Sequence, residues 1–144
     1  MAGTAALYSR EVLALATALG QWPLEAAMAR HGSARSAACG STMQLTLTAT
    51  DEGRIAEIGL QAQACAIGQA SAAIFAAAAQ GRSLEEISST ARQLQGWLAG
   101  QADMPDWPGL ATIAAARDYP ARHGAILLPW QAALDALSSA AKLG

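Results

Sequence analysis

The change of period between Ile55 and Phe75 constrains this chain more than any other feature. Ile55-Ala56-Glu57-Ile58-Gly59-Leu60-Gln61-Ala62 reads as a strand. Ile67, Ala70, Ile74 and Phe75 then recur at three- and four-residue spacing, the period of a helix. Cys65 lies between the two patterns, at a strand-to-helix junction. Free backbone N–H groups and the positive end of a helix dipole favour a thiolate there, the form of cysteine that attacks sulfur and binds metal. Upstream, Met43-Gln44-Leu45-Thr46-Leu47-Thr48-Ala49 alternates strictly, with its threonines on one side, and is the clearest strand in the chain. Asp51-Glu52-Gly53 supplies a turn between the two strands. The other cysteine, Cys39, precedes the first strand of this hairpin, and Cys65 follows the second. An antiparallel hairpin brings its outer ends together, so the order predicts neighbouring sulfurs, within roughly 8 Å if both converge on one ion.

The rest of the chain supplies helices. Ala5 to Leu19 predicts an amphipathic helix with Leu7, Val12, Leu15 and Leu19 on one face, stopped by Gly20. Trp22-Pro23 breaks the pattern, Leu24 to Arg30 fits either a short helix or a strand, and His31-Gly32-Ser33 reads as loop. Ala66 to Gln80 is a helix ended by Gly81. Ser83-Leu84-Glu85-Glu86 is a capping box that starts another, running to about Leu98. Gly100 to Pro108 reads as loop and Leu110 to Ala116 as a short helix, broken at Tyr119-Pro120. The last helix, roughly Ala121 to Lys142, turns Ile126, Trp130, Leu134 and Leu137 inward, with Pro129 near its first turn or at a kink. Strands and helices that do not alternate predict an α+β fold over one domain, residues 1–144. A small antiparallel sheet of about three strands carries helices on one face.

Composition narrows the function. Hydrophobic residues make up 53% of the chain but only 5% is aromatic, so the core is expected to consist of closely approaching alanine-rich helices with a few Leu, Ile and Trp anchors. Net charge is −2 and Lys142 is the single lysine, which leaves no cationic face for nucleic acid. Ile58 to Gln80 carries no charge, but its first part alternates, so a buried strand and helix is expected rather than a membrane span. Residues 1–10 lack the basic start and apolar run of a secretion signal, and two cysteines do not make a disulfide scaffold; a cytoplasmic protein is expected. Gly-rich phosphate loops, GxSxG and HExxH are all missing, so no standard enzyme site is expected. Cys39 and Cys65 stand 26 positions apart, outside CxxC spacing. They read either as two small buried residues or, with the hairpin joining their loops, as half of a tetrahedral metal or cluster site.

Cys39-Gly40, a hairpin, Cys65-Ala66-Ile67-x-x-Ala70-Ser71 and Gly81-Arg82-Ser83-Leu84-Glu85-Glu86 together resemble the IscU/NifU N-terminal scaffold proteins of iron–sulfur cluster assembly. The tail Tyr119-Pro120-Ala121-Arg122 followed by Leu128-x-Trp130 looks like the segment around that family's third cysteine. The long interval before it resembles the SufU-like branch, whose insertion would fall at about Ala99 to Trp107. The resemblance implies a scaffold that holds a nascent [2Fe–2S] cluster, or zinc in the SufU branch, on three cysteines and an aspartate. It also implies a cysteine desulfurase as sulfur donor and cluster acceptor proteins as recipients. Cys39 and Cys65 map onto the first two cysteines, but Ser41 stands at the aspartate position, Ala125 at the third cysteine and Gly124 at the basic residue before it. The family's glycines before the second cysteine become Ala62 and Ala64, where a positive φ would be strained. His123 is the nearby candidate for a replacement ligand, and His31 a weaker one. Three readings follow for a monomer or homodimer. One is a scaffold binding iron, a cluster or zinc weakly through Cys39 and Cys65. Another is a divergent relative acting by protein contact. The third is a sulfur acceptor that takes a persulfide on Cys65.

Overall fold

The computed structural model describes residues 7–37 and 40–143, with side chains as far as Ser138. Three strands, β1 (Arg30–Arg35), β2 (Thr42–Ala49) and β3 (Ile55–Gln63), form one antiparallel sheet in the order β1-β2-β3. The β2–β3 hairpin turns at Gly53, whose φ of 81° requires glycine. Leu45 faces Leu60 and Met43 faces Ala62 across it, and these side chains enter the core. Among the described residues, α1 (Arg10–Ala18), α2 (Ala66–Ala79), α3 (Leu84–Leu98) and α4 (His123–Leu143) follow the sequence pattern. They pack on one face of the sheet. α2 is buried nearly all round, as an apolar helix between neighbours must be, with Ile67, Ala70 and Phe75 fully enclosed.

Three local expectations change, the first at Leu24 to Arg30, where residues 24–29 form neither the short helix nor the strand expected. His31-Gly32-Ser33 is part of strand β1, not a loop. Gly32 is there for close approach: a Cβ would overlap the Ala132 carbonyl oxygen of α4 and lie 2.6 Å from the Ala136 nitrogen. Leu110 to Ala116 is wound more tightly than an α-helix, as 3-10 turns over Leu110–Asp118, with Ile113 at a non-helical φ of −106°.

Trp22 to Met28 is neither helix nor strand. It crosses the outer face of the sheet as a strap, along a single row of side chains. Thr46 pairs with His31 on one side and Gly59 on the other. The strap enters at the free edge of β3, where the Leu60 N–H donates to the Trp22 carbonyl at 2.8 Å. Pro23 lies over Gly59, where a Cβ would overlap its carbonyl oxygen. The Glu25 N–H donates to Thr46 Oγ1 at 3.2 Å, and His31 Nε2 donates to the carbonyls of Ala26 and Met28 at 3.1 and 2.9 Å. Thr46 is therefore buried, although alternation alone would leave it on a solvent face.

The loop between α3 and the 3-10 segment is anchored by Trp107. Its ring stacks on Phe75 at 5.3 Å, and Trp130 meets both rings edge-on at 5.2 Å, the arrangement ring quadrupoles favour. Trp107 Nε1 donates to the Ile74 carbonyl of α2 at 3.0 Å, and the Arg82 guanidinium covers the outer ring face at 4.3 Å.

The capping box is present as expected, with the Glu86 N–H donating to Ser83 Oγ at 3.2 Å. Arg54 reaches from the hairpin to Glu86 at 2.7 Å, and this bond, then the Ser83 backbone N–H, holds the Glu86 carboxyl below its ordinary value of 4.5. A depressed carboxyl contributes stability that is fully present above pH 4.5 and is lost as pH falls through the lower folded value. Glu86→Gln is accordingly expected to narrow the melting-temperature gap between the two variants as pH drops below 4.5, read by thermal unfolding across the acid range. A gap independent of pH would mean that Glu86 acts only through its neutral hydrogen bonds.

Candidate functional site

Cys65 is the N-cap of α2, with φ −65° and ψ 172°, and its side chain makes no capping hydrogen bond. The thiol is half-buried. The chain is held on both sides of it. The Gln69 N–H donates to the Cys65 carbonyl at 3.0 Å, and Gln69 Nε2 donates to the Ala64 carbonyl at 2.9 Å. The expected strain at Ala62 and Ala64 is absent. Among the described residues no non-glycine has a positive φ, and Ala62 pairs with Met43 inside β3.

The β1–β2 connection lies at the same end of the sheet, since Thr42 is the register partner of Gln63. It is a tight loop. The Ser36 N–H donates to the Ser41 carbonyl at 2.8 Å, the Gly40 N–H donates to the Ser36 carbonyl at 2.9 Å, and Gly40 has a φ of 70°. Ser41 is buried there. Cys39, and with it the expected sulfur–sulfur distance, lies outside the described residues.

The first turn of α4 completes the cluster. A Cβ at Gly124 would overlap Ser36 Oγ, and a Cβ at Gly68 would stand 3.3 Å from that of Ala125 and 2.7 Å from that of Ala64. α4 thus enters between the β1–β2 loop and the first turn of α2, with Ala125 fully buried against Gly68. Just beyond, Ser71 Oγ donates to the Ile126 carbonyl at 2.6 Å. The next residues include Pro129, inside α4 rather than in its first turn, whose ring removes the N–H that would bond the Ala125 carbonyl. Ser71 therefore ties α4 to α2 where the helix has lost a bond of its own.

Cys65, Ser41, Gly124 and Ala125 are gathered at one end of the sheet. His123 is adjacent in sequence, but its Nε2 donates to the Arg117 carbonyl at 2.7 Å, which engages the ring with the 3-10 segment. His31 lies in β1, and its ring is engaged with the strap. Sequence reasoning missed Ser36 and Gly68; an isolated glycine inside a helical pattern was the available signal for the second.

Among the described residues no three His, Cys, Asp or Glu side chains are grouped to hold an ion. The donor types at the ligand positions that the resemblance implies do not fit a closed four-ligand site either. A serine hydroxyl stands for the carboxylate, and a buried methyl group stands for the third thiolate. No helix among the described residues is long and apolar enough to cross a membrane.

The model of the NifU-like N-terminal domain family matches residues 17–125. No curated protein matches the chain. Among solved structures, the N-terminal part of a nitrogen-fixing NifU-like protein from Brucella abortus superposes with a TM-score of 0.86 at 24% identity, covering 96% of both chains. A putative iron–sulfur cluster assembly scaffold protein for the SUF system from Fervidobacterium islandicum AW-1 gives a TM-score of 0.81 at 19% identity, covering 94% of this chain and 99% of its own. At these identities the likeness is one of fold: a three-stranded antiparallel sheet with helices on one face.

Proposed function

The chain belongs to the NifU-like N-terminal domain family, and from that premise we propose that it serves iron–sulfur cluster assembly by protein contact, as a single cytoplasmic domain over residues 1–144. Its partners are a cysteine desulfurase and cluster acceptor proteins. Ala125 supports this reading: it is buried, and it stands where the resemblance puts the third cysteine, so that position would lack a donor atom. Iron, a cluster or zinc is at most a transient cargo at Cys39 and Cys65, because a metal with two protein thiolates keeps open positions and is lost to chelators.

The N-cap position of Cys65, free of any capping bond to its own helix, favours a second role as sulfur acceptor. The Cys65 thiolate would attack the outer sulfur of the desulfurase persulfide. A new S–S bond forms on Cys65, the donor's S–S bond breaks, and the donor cysteine leaves as a thiolate.

One experiment tests both roles. The protein is purified without oxygen, washed with a mild chelator, and mixed with cysteine desulfurase and cysteine. The expected results are negligible metal after the wash and a desulfurase complex that persists in Cys65→Ser. One sulfur should be added to Cys65, read by mass spectrometry, if the second role holds. A chelator-resistant cluster on the untreated protein would overturn the protein-contact reading in favour of a true scaffold.

A further inference from the structure

A single residue holds both peptide groups that flank Cys65. The Gln69 N–H donates to the Cys65 carbonyl at 3.0 Å, and the Gln69 side chain turns back to donate from Nε2 to the Ala64 carbonyl at 2.9 Å. Cys65 is the N-cap, so Ala64 stands just before the cap and Gln69 at the fourth helical position. These are the two places at which apolar side chains often staple a helix start and fix the angle at which the chain enters. Here the staple is a hydrogen bond. A carbonyl only accepts, so the nitrogen of the Gln69 amide must face it. Gly68 secures the other side: a Cβ there would stand 2.7 Å from that of Ala64, so the glycine lets Ala64 lie against the first turn. An N-cap side chain normally secures a helix start by accepting an N–H of the first turn. The Cys65 side chain makes no such bond, and sulfur is a weak acceptor.

We infer that Gln69 is a positioning residue for sulfur transfer onto Cys65: it takes over the capping task, so the thiol is released from its own helix while its backbone stays fixed. The inference rests on the sulfur-acceptor role proposed above. In that exchange the Cys65 thiolate attacks the outer sulfur of the donor persulfide. The new S–S bond forms as the donor's breaks, and the donor cysteine leaves as a thiolate, so no further oxidant is consumed. The sulfur being attacked is carried by a second protein, and a docked donor cannot turn to meet a wandering thiol, so the rate depends on aim. With both neighbouring carbonyls tied to Gln69, the φ of −65° and ψ of 172° at Cys65 are held. The sulfur then has rotation about χ1 as its remaining freedom, and half-burial limits even that.

The test compares the natural chain with Gln69→Met and Gln69→Ala. Both keep helix propensity, methionine also keeps the side-chain length, and neither can donate to the Ala64 carbonyl. Thermal unfolding first establishes that each variant is folded. Two rates are then read at Cys65 by mass spectrometry. One is single-turnover sulfur transfer from cysteine-charged desulfurase over a range of desulfurase concentrations. The other is alkylation by iodoacetamide without desulfurase. In both variants the limiting rate of sulfur transfer is expected to fall on the order of tenfold at an unchanged half-saturating concentration. Alkylation, by a small reagent free to approach from several sides, should stay within about twofold of the natural rate. A purely structural role would lower the melting temperature and move neither rate in the folded protein. Sulfur transfer at the natural rate in folded Gln69→Met overturns the inference and leaves the acceptor role standing. A parallel fall in alkylation also overturns it, because the effect would then lie in exposure or ionisation of the thiol. A natural chain that gains no sulfur on Cys65 overturns the acceptor role, and the inference with it.

Discussion

Gly32→Val is expected to abolish the folded state at room temperature or to destabilise it by about 4 kcal/mol or more. Valine suits a strand better than glycine does, so local propensity predicts the opposite sign. Packing decides it. The first atom of any side chain at Gly32 would overlap the Ala132 carbonyl oxygen, lie 2.6 Å from the Ala136 nitrogen and 2.8 Å from the Ala136 Cβ. Two of these three are backbone atoms of a helix, which cannot rotate away as a long side chain can. Either α4 lifts from β1, opening the core at Leu45 and Trp130, or β1 leaves the sheet. Urea unfolding followed by circular dichroism measures the loss. Gly20→Val is the control, because nothing lies within 4 Å of a Cβ there. A Gly32 variant as stable as that control would mean that α4 does not run against β1 as described.

The second large effect is a gain. Ser41→Asp with Ala125→Cys, reconstituted with iron and sulfide, is expected to hold a cluster through desalting, where the natural chain holds none. Ser41 is buried beside the end of β3, and the Ala125 side chain faces Gly68 and the turn that carries Cys65. Both new donors would arise at the end of the sheet where Cys65 lies. The metal-free variant should be less stable than its parent, because a carboxylate charge is moved out of water and a sulfur atom is added to a full core. Metal binding would then recover that loss as folding free energy. The signature is thus a melting temperature lowered without metal and raised with it, together with the cluster's absorbance. His123→Ala should change nothing in this variant. If the double variant gains no cluster, the loops no longer follow the family's ligand geometry, and protein contact alone is the better account.

The hairpin, the start of α2 at Cys65 and the capping box at Ser83 were legible in the sequence because their signals are local: a period, a turn, a four-residue motif. β1 was not. His31-Gly32-Ser33 looks like loop until α4, a hundred residues later, supplies the reason for the glycine. The strap was illegible for the same reason, since its partners Gly59, Thr46 and His31 come from three strands. At the site, sequence located Cys65 and flagged Ser41 and Ala125. It could not give the wedge of Gly124 against Ser36, or the turn of His123 toward Arg117, because both depend on where α4 enters.

The strap ties its own docking to strand register. The row beneath it exists only when both strand pairings are in register, because a slip of one residue moves every side chain of a strand to the other face. Only Gly59 in β3 lets the Pro23 carbonyl come so close; a slipped β3 would present Ile58 or Leu60 instead. A misaligned sheet therefore has no place for Trp22 to Met28, and the polar backbone groups of that segment stay in water until alignment is reached. The strap works as a proofreader of strand register, adding the loss of its own contacts to the penalty that the hydrophobic face already sets on a slipped sheet.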